Sequence, residues 1–367
     1  MRMMMKFTNY LRISSKNNLL ISLLVNVVIL STINIGYAQT NITSKFNSVN
    51  QDIKTKIKAE LLKSKSMSAK LYRITQNGKY GFIDQTGQVV IPAQFDLAWG
   101  FVDGLAQIKV GDKYGYIDTT GKRVIAPKYR LSFAFKNGLA LVVIDYKYGF
   151  INSSGKVVVQ PRFDGALAFV NGLAAVQVDD KWGYIDFTGK IVIKPQFEAV
   201  LHFYDGLAAV QVDGKWGYIN VYGQVVIPPK FESTLRFSQG LAAVQVSDKY
   251  GYINQSGKFV INPQFNDAWE FIEGLAAVQV GQKWGFVNAN GEMIIPPQYD
   301  KVTAFFQGLA AVKVNDKYGF IDITGKMVIA PRFDLAFGFV NDLALVYARG
   351  GAGYIDKEGK YIWNPTN

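Results

Sequence analysis

The sequence predicts an all-β fold made of tandem repeats, and three observations support this. A Lys-Trp/Tyr-Gly-Tyr/Phe segment recurs every 34 residues without an insertion, and a glycine follows each lysine eight residues later. Apolar and polar residues alternate between these landmarks, as they do in strands. The eight lysines are Lys79, Lys113, Lys147, Lys181, Lys215, Lys249, Lys283 and Lys317. A fixed period over eight copies indicates that each unit buries its apolar face against its neighbours.

The N-terminal segment, residues 1–38, has the pattern of a signal peptide. Basic residues precede an apolar stretch from Leu19 to Ile35, and the small residues Gly36 and Ala38 flank Tyr37. This pattern predicts cleavage between Ala38 and Gln39 and export of the protein to the periplasm or the cell exterior. The alternative is a membrane anchor formed by residues 19–35, because this stretch approaches the roughly 20 residues that span a bilayer.

Residues 39–70 are predicted to form a linker and a short N-terminal helix. Val49, Ile53, Ile57 and Leu61 recur at helical spacing, with lysines between them. Because the end of a repeat array exposes apolar surface, we expect this amphipathic helix to cap the array. The alternative is a helix that lies on a membrane surface.

The array covers residues 71–367 and contains nine copies of a hairpin. In the copy that begins at Gly172, the pattern predicts a first strand at 173–178, a two-residue turn, and a second strand at 181–186. A turn through Gly189 leads to a third strand at 191–193, which Pro195 is expected to end because proline lacks an N–H. The segment from there to the next first strand is treated as a connector without a strand.

Two rows of side chains on this hairpin are candidates for binding. A polar row at the end of the first strand is expected to face solvent, because the opposite parity holds the apolar residues. An aromatic row on the second strand either binds ligands or fills the space between hairpins. The polar row contains Gln177, Gln211, Gln245 and Gln279, and the aromatic row contains Trp182, Trp216, Tyr250 and Trp284, with Tyr184, Tyr218 and Tyr252 beside them.

These repeats resemble those of the WG-repeat, or KWG-repeat, proteins. The resemblance rests on Lys-Trp-Gly-Tyr-Ile-Asp/Asn, then Thr/Ser-Gly-Lys, Val-Ile-x-Pro-x-Phe-Asp and Gly-Leu-Ala-Ala-Val, over residues 71 to 362. It implies a bacterial β-repeat protein, often exported, whose repeats act as interaction modules without known catalytic residues. The chain departs from the pattern where tyrosine replaces tryptophan, and in the degenerate last copy at Gly351-Ala352-Gly353.

Two architectures are compatible with the repeat. Three strands in 34 residues favour an open β-solenoid of stacked three-stranded meanders. The alternative is a β-propeller-like ring, whose blades ordinarily contain four strands in a longer repeat and whose closure ordinarily splits one blade between the termini. We therefore expect the solenoid.

Several chemistries have little support in the sequence. The net charge of +12 falls to about +3 in the array once the basic leader is subtracted, so a nucleic-acid partner is not expected. There is no cysteine, and His202 is the one histidine, so neither a metal nor a cofactor is expected. The residue after Gly-Tyr-Ile is Asp in some copies and Asn in others, which predicts an Asx-turn acceptor rather than an acid or base. The alternative is calcium binding through these side-chain oxygens, although the sequence shows no acidic cluster.

The sequence therefore predicts a protein that is not an enzyme. The favoured hypothesis is a repeat scaffold of the cell envelope that binds protein partners through the glutamine row. The alternative is a glycan-binding or cell-wall-binding module that uses the aromatic row to bind polysaccharide. Contact with a membrane is expected only through the N-terminal segment, if it stays attached.

Overall fold

The computed structural model describes residues 70–366. These residues form 35 β-strands in nine antiparallel sheets, and they contain no helix, hence none that could cross a membrane. The predicted signal peptide, its cleavage site at Ala38 and Gln39, and the predicted amphipathic helix lie outside the described residues. The all-β prediction is confirmed for the described part of the chain.

Each sheet is one blade, numbered here in chain order. Blade 1 contains β1 (Tyr72–Gln76), β2 (Lys79–Ile83) and β3 (Val89–Phe95); blade 2, β4 (Leu97–Ala98), β5 (Leu105–Val110), β6 (Lys113–Asp118) and β7 (Arg123–Tyr129); blade 3, β8 (Leu131–Ser132), β9 (Leu139–Ile144), β10 (Lys147–Asn152) and β11 (Val157–Phe163); blade 4, β12 (Gly165–Ala166), β13 (Ala174–Val178), β14 (Lys181–Ile185) and β15 (Ile191–Phe197). Blade 5 contains β16 (Ala199–Val200), β17 (Leu207–Val212), β18 (Lys215–Asn220) and β19 (Val225–Phe231); blade 6, β20 (Ser233–Thr234), β21 (Leu241–Val246), β22 (Lys249–Asn254) and β23 (Phe259–Phe265). Blade 7 contains β24 (Asp267–Ala268), β25 (Leu275–Val280), β26 (Lys283–Asn288) and β27 (Met293–Tyr299); blade 8, β28 (Lys301–Val302), β29 (Leu309–Val314), β30 (Lys317–Asp322) and β31 (Met327–Phe333); blade 9, β32 (Leu335–Ala336), β33 (Ala344–Ala348), β34 (Gly351–Ile355) and β35 (Tyr361–Thr366).

The predicted hairpin is present in every blade. Its two-residue turn takes the left-handed conformation that a type I′ turn requires, with φ of 49° at Asp179 and 61° at Asp180. The turn at Asp145-Tyr146 also adopts it, with φ of 49° and 62°, although tyrosine is not a residue that favours positive φ. The second turn passes through a glycine with positive φ, such as Gly189 at 85°.

The third strand is longer than predicted. In blade 4 it runs from Ile191 to Phe197, and a register shift carries it past Pro195. The prediction that Pro195 ends the strand is therefore wrong. A bulge at this point leaves Pro195, which has no N–H, out of the pairing. Pairing resumes where Phe197 lies opposite Trp182.

The connector contributes a fourth strand, which the sequence analysis missed. In blade 5, Ala199 lies opposite Gln211 and Val200 lies opposite Val210. The third strand of the preceding blade ends at Phe197, so one residue separates the two strands. Blades 2 to 9 have this short connector strand beside the first strand, whereas blade 1 has three strands within residues 70–366.

The core lies between blades rather than within one. One cluster joins Tyr184 and Ile193 of blade 4 to Phe203, Val210 and Ile219 of blade 5, and the other clusters repeat this arrangement. A ninth cluster joins the first blade to the last through Tyr72, Ile74 and Leu343. Nine blades in an open stack would have eight interfaces, so the ninth closes a ring.

Side chains at the seam hold blade 1 against blade 9. The rings of Tyr72 and Tyr354 meet edge to face with centroids 5.4 Å apart. The Tyr354 hydroxyl donates a hydrogen bond of 2.9 Å to the Arg73 carbonyl, and the Tyr72 hydroxyl donates one to the Asn341 carbonyl. Burial raises the pKa of Tyr354 to about 12, so its hydroxyl remains a donor near neutral pH.

The protein is thus a nine-bladed β-propeller-like ring, and the expected open β-solenoid is wrong. Two assumptions failed. The connector supplies the fourth strand within 34 residues because a single residue links it to the preceding blade. The ring closes by packing the sheet of blade 1 against the sheet of blade 9, and no strand within residues 70–366 is shared between these two sheets.

Candidate interaction surface

The acidic or amide residue after each second strand forms the predicted Asx turn. In blade 4, the Asp186 Oδ1 accepts hydrogen bonds from the Thr188 N–H at 2.9 Å and the Lys190 N–H at 3.1 Å. In blade 3, the Asn152 Oδ1 accepts the matching bonds from Ser154 and Lys156. Both side chains supply an oxygen that accepts the same backbone hydrogen bonds. The residue at this position therefore stabilises the turn.

Replacing Asp186 with asparagine is expected to lower stability slightly near pH 7 and to reduce the further loss of stability in acid. The hydrogen bond from Thr188 lowers the pKa of Asp186 below its ordinary value of 3.8. The stabilisation by the charged form is therefore present above about pH 4 and is lost as pH falls through the folded-state pKa. Urea unfolding near pH 7 and near pH 3 measures this difference. An Asp186→Asn variant with wild-type acid sensitivity, or an Asn152→Asp variant without increased sensitivity, would contradict the prediction.

The predicted aromatic row lies mostly inside the ring wall. Trp182, Trp216 and Tyr250 are half-buried, and Trp284 is only 8% exposed. The tyrosines beside them, Tyr184, Tyr218 and Tyr252, are fully buried. Alternation suggested one free face, but neighbouring blades cover both faces of the second strand.

Each of these buried tyrosines also binds the connector of the following blade. The Tyr184 hydroxyl donates to the Leu201 carbonyl at 2.7 Å, and the Tyr252 hydroxyl donates to the Trp269 carbonyl at 2.8 Å. Burial raises the pKa of both hydroxyls well above the ordinary range, which keeps them protonated as donors. The aromatic row therefore joins neighbouring blades.

The glutamine row is half-buried at its four members, Gln177, Gln211, Gln245 and Gln279. Gln177 lies opposite Trp182 in the strand register, and Gln211 donates to the Gly214 carbonyl at 3.2 Å. The structure therefore places the two predicted rows side by side at one end of each hairpin, with the glutamines more accessible than Trp284.

His202 lies in the connector of blade 5 among side chains that do not repeat. It is half-buried, and desolvation, followed by the nearby Lys136 charge, lowers its pKa. Its Nε2 atom has no hydrogen-bond partner among the described residues. The neighbouring connector carries Arg236, which lies 4.2 Å from the Tyr204 ring centroid and 3.1 Å from the Glu270 carboxylate. The described residues contain no group of three acidic or histidine side chains that could hold a metal.

In most blades, the turn that ends the connector binds the corresponding turn of the next blade. The Asp103 carboxylate accepts a 2.9 Å hydrogen bond from the Gly138 N–H, and the Glu273 carboxylate accepts one of 2.8 Å from the Gly308 N–H. These residues occupy equivalent or adjacent repeat positions. Because equivalent positions in a ring are closest at the smallest radius, the connectors line the centre of the ring.

A second set of hydrogen bonds lies at most blade junctions, at the residue between the third strand and the connector, here called the junction residue. In blade 7 the junction residue is Asp300, which binds the Lys283 ammonium at 2.5 Å. Asp164 binds both Lys147 and the N–H of Asp179 in the following hairpin turn. The junction residue thus supplies an oxygen that joins neighbouring blades.

Large apolar side chains are exposed on the connectors of four blades. We call six of them the connector patch: Trp99, Val102, Phe133, Phe306, Phe337 and Val340. Phe337 is 45% exposed and Val340 is 62% exposed. The members belong to blades 2, 3, 8 and 9, which flank blade 1, and blade 1 has no connector strand in the described residues. In blade 4 the position equivalent to Val340 is Val170, which is buried.

The sequence analysis missed the connector patch. Its members vary between copies, and the sequence analysis treated the connector only as a segment without a strand. The alternating pattern was also read no further than the third strand. The signal that could have identified the patch is an aromatic residue at one variable position, Trp99, Phe133 and Phe337. The same position is Trp269 in blade 7, where the ring is half-buried, and leucine or threonine in the remaining copies.

The comparisons with known proteins concern both sequence and fold. The family model "WG containing repeat" matches eight consecutive segments, at residues 80–114, 114–148, 148–182, 182–216, 216–250, 250–284, 284–318 and 318–350. No curated protein matches the chain significantly.

Among solved structures, a eukaryotic initiation factor aligns over 82% of this chain and 96% of its own length, with a TM-score of 0.60 and 13% identity. BamB from Moraxella catarrhalis aligns over 71% of this chain and 92% of its own, with a TM-score of 0.41 and 12% identity. The dihydro-heme d1 dehydrogenase NirN aligns over 82% of this chain and 74% of its own, with a TM-score of 0.44 and 13% identity. The similarity to the initiation factor concerns the fold alone.

Proposed function

Because the chain belongs to the family of WG-containing repeats, we propose that its nine-bladed ring is a non-catalytic scaffold that binds protein partners. The main support is the connector patch, which exposes large apolar side chains at a part of the ring where other blades bury or replace them. Exposed apolar patches on folded domains commonly mark contacts with other proteins. The patch is therefore the proposed contact surface.

The polar groups of the repeats support a non-catalytic role. Asp186 and its equivalents accept backbone hydrogen bonds within turns, and Asp164 and its equivalents join blades. Asparagine replaces aspartate in several copies of the first position without loss of the turn, as Asn152 shows. A catalytic centre would need a carboxylate that is not engaged in hydrogen bonds within a turn or between blades. It would also need a matching acid, base or nucleophile beside that carboxylate.

Binding of glycans through the aromatic row has less support. Sugar recognition by stacked rings needs exposed ring faces, whereas Trp284 is buried and the neighbouring tyrosines are packed between blades. The proposed cellular setting remains the bacterial cell envelope, reached through the N-terminal signal peptide. That setting determines the fraction in which partners should be sought.

Replacing both Phe337 and Val340 with aspartate is expected to reduce partner capture by at least about tenfold without unfolding the ring. Loss of one or two apolar contacts at the centre of an interface commonly costs about 2 kcal/mol or more, while exposed substitutions change stability by about 0.5 kcal/mol or less. Crosslinked pull-downs from envelope fractions, quantified by mass spectrometry, measure capture, and thermal melting checks the fold.

The matched control is Ile323→Asp, which places the same charge on a residue that is 51% exposed but lies on an outer turn. A protein captured by the wild type and by this control, but lost from the connector variant, supports the proposal. Capture of the same proteins by all three variants contradicts it. Binding of peptidoglycan with a change in tryptophan fluorescence and no captured protein would favour the glycan alternative.

A further inference from the structure

The junction between blades 2 and 3 breaks the rule that the other junctions follow. At seven of the eight junctions in residues 70–366, the junction residue is Asp, Glu or Asn, and its oxygen accepts a hydrogen bond from the repeat lysine, the next hairpin turn, or both. The acceptors are Asp96, Asp164, Glu198, Glu232, Asn266, Asp300 and Asp334. At the eighth junction the residue is Arg130.

This substitution leaves two donors without their usual acceptor. Lys113 corresponds to Lys79, Lys147, Lys283 and Lys317, each of which binds a junction aspartate. Like Lys181, Lys215 and Lys249, whose junction residues are Glu or Asn, Lys113 makes no ion pair within residues 70–366. The N–H of Asp145 corresponds to the N–H of Asp179, which binds Asp164. At this junction no carboxylate of the described chain stands between the lysine and the turn.

The surroundings add a second cation and an exposed aromatic ring. The Arg130 guanidinium lies 5.9 Å from the centroid of the Tyr146 ring, and its Nη1 lies 3.5 Å from the Tyr146 hydroxyl. Tyr146 is 82% exposed and occupies a turn position where the other copies have small or polar residues. Most of this ring is therefore open to solvent, and its contact at the junction is with Arg130.

This sector has the highest net charge among the equivalent 34-residue spans, although the spans 131–164, 233–266 and 301–334 each carry +2. Residues 97–130 contain six lysines and arginines against three aspartates, a net charge of +3, whereas the equivalent span 267–300 has one lysine against five acidic residues, a net charge of −4. The basic side chains are Lys109, Lys113, Lys122, Arg123, Lys128 and Arg130. An acidic segment would therefore be attracted to blade 2.

We propose that the junction of blades 2 and 3 binds a carboxylate of an acidic peptide segment on a partner protein. The carboxylate takes the place that a junction aspartate has elsewhere, between the Lys113 ammonium and the Asp145 N–H. The Arg130 guanidinium supplies a further charge-assisted hydrogen bond, and the Tyr146 ring packs against the peptide. This inference rests on the proposed protein-binding function and adds a second contact site, separate from the connector patch.

Arg130→Asp provides the sharpest test, because it restores the junction residue that the other copies carry. The new carboxylate is expected to occupy the site, so an acidic peptide should bind at least about tenfold more weakly, while thermal stability stays equal or rises. Fluorescence polarisation measures binding of two short labelled peptides to the full chain at low salt. One has internal glutamates and blocked ends; the other has glutamines and a free C-terminal carboxylate.

Binding of either peptide that is lost in Arg130→Asp supports the proposal, and the peptide that binds identifies the source of the carboxylate. The matched control is Lys181→Gln, which removes an equivalent exposed lysine at a junction with an acidic residue, Glu198. Equal weakening by Lys181→Gln, undiminished binding by Arg130→Asp, or binding of neither peptide would overturn the proposal. If capture through the connector patch persists in those cases, the proposed function stands and this inference alone fails.

Discussion

Replacing Gly217 with alanine is expected to destabilise the ring by about 3 kcal/mol, the largest effect we expect from a single methyl group. A Cβ at this position would lie 2.5 Å from the Ile227 carbonyl oxygen and 2.6 Å from the Pro229 nitrogen. Both are backbone atoms of the third strand, so no side-chain rotation relieves the clash. The strand would have to move away, and its Ile227 would leave the core between blades 5 and 6.

The matched control is Gly100→Ala. An added Cβ there has no neighbour within 4 Å, and the residue is not in the left-handed region. The midpoint of urea unfolding should fall in Gly217→Ala and stay within about 0.5 kcal/mol of wild type in the control. Equal stability of the two variants would show that the third strand can shift freely, contrary to the packing described above.

Replacing Tyr354 with alanine is expected to open the ring at its seam. The change removes the ring contact with Tyr72 and the hydrogen bond to the Arg73 carbonyl, and a truncated aromatic side chain costs about 3 kcal/mol. Because the seam has no shared sheet, this loss is concentrated at one interface. Amide hydrogen exchange should increase in β1 and β34 before it increases in β17 to β19.

Tyr354→Phe is the control, since it retains the ring contact and removes only the hydroxyl. Its expected cost is about 1 kcal/mol, with the seam still closed. Small-angle scattering of the alanine variant should show a larger radius of gyration than that of the phenylalanine variant. Uniform exchange across all nine blades in Tyr354→Ala would contradict a locally opened seam.

Local features of the fold followed from the sequence because short-range chemistry determines them. The positive φ at Asp179 and Asp180 and the oxygen acceptor at Asp186 follow from residue types that suit few other conformations. The 34-residue period located every hairpin. These predictions are confirmed wherever the described residues include them.

The closed ring could not be derived in the same way. Curvature depends on the shape of each interface between blades, such as the fit of Tyr184 and Ile193 against Phe203, and no period in the sequence encodes that angle. The two-residue connector strand is too short to show alternation. The burial of Trp284 depends on the neighbouring blade, so its place in the core followed only from the ring.

The nine interfaces of the ring also restrict how the gene can change. An open array can gain or lose a unit at its end with no effect on the remaining units, whereas here the last sheet must meet the first. Duplication or deletion of a single repeat would alter the angle required at every interface at once. Selection therefore acts on the number of repeats through the geometry of the ring. Members of the family should contain only those numbers of repeats that close a ring.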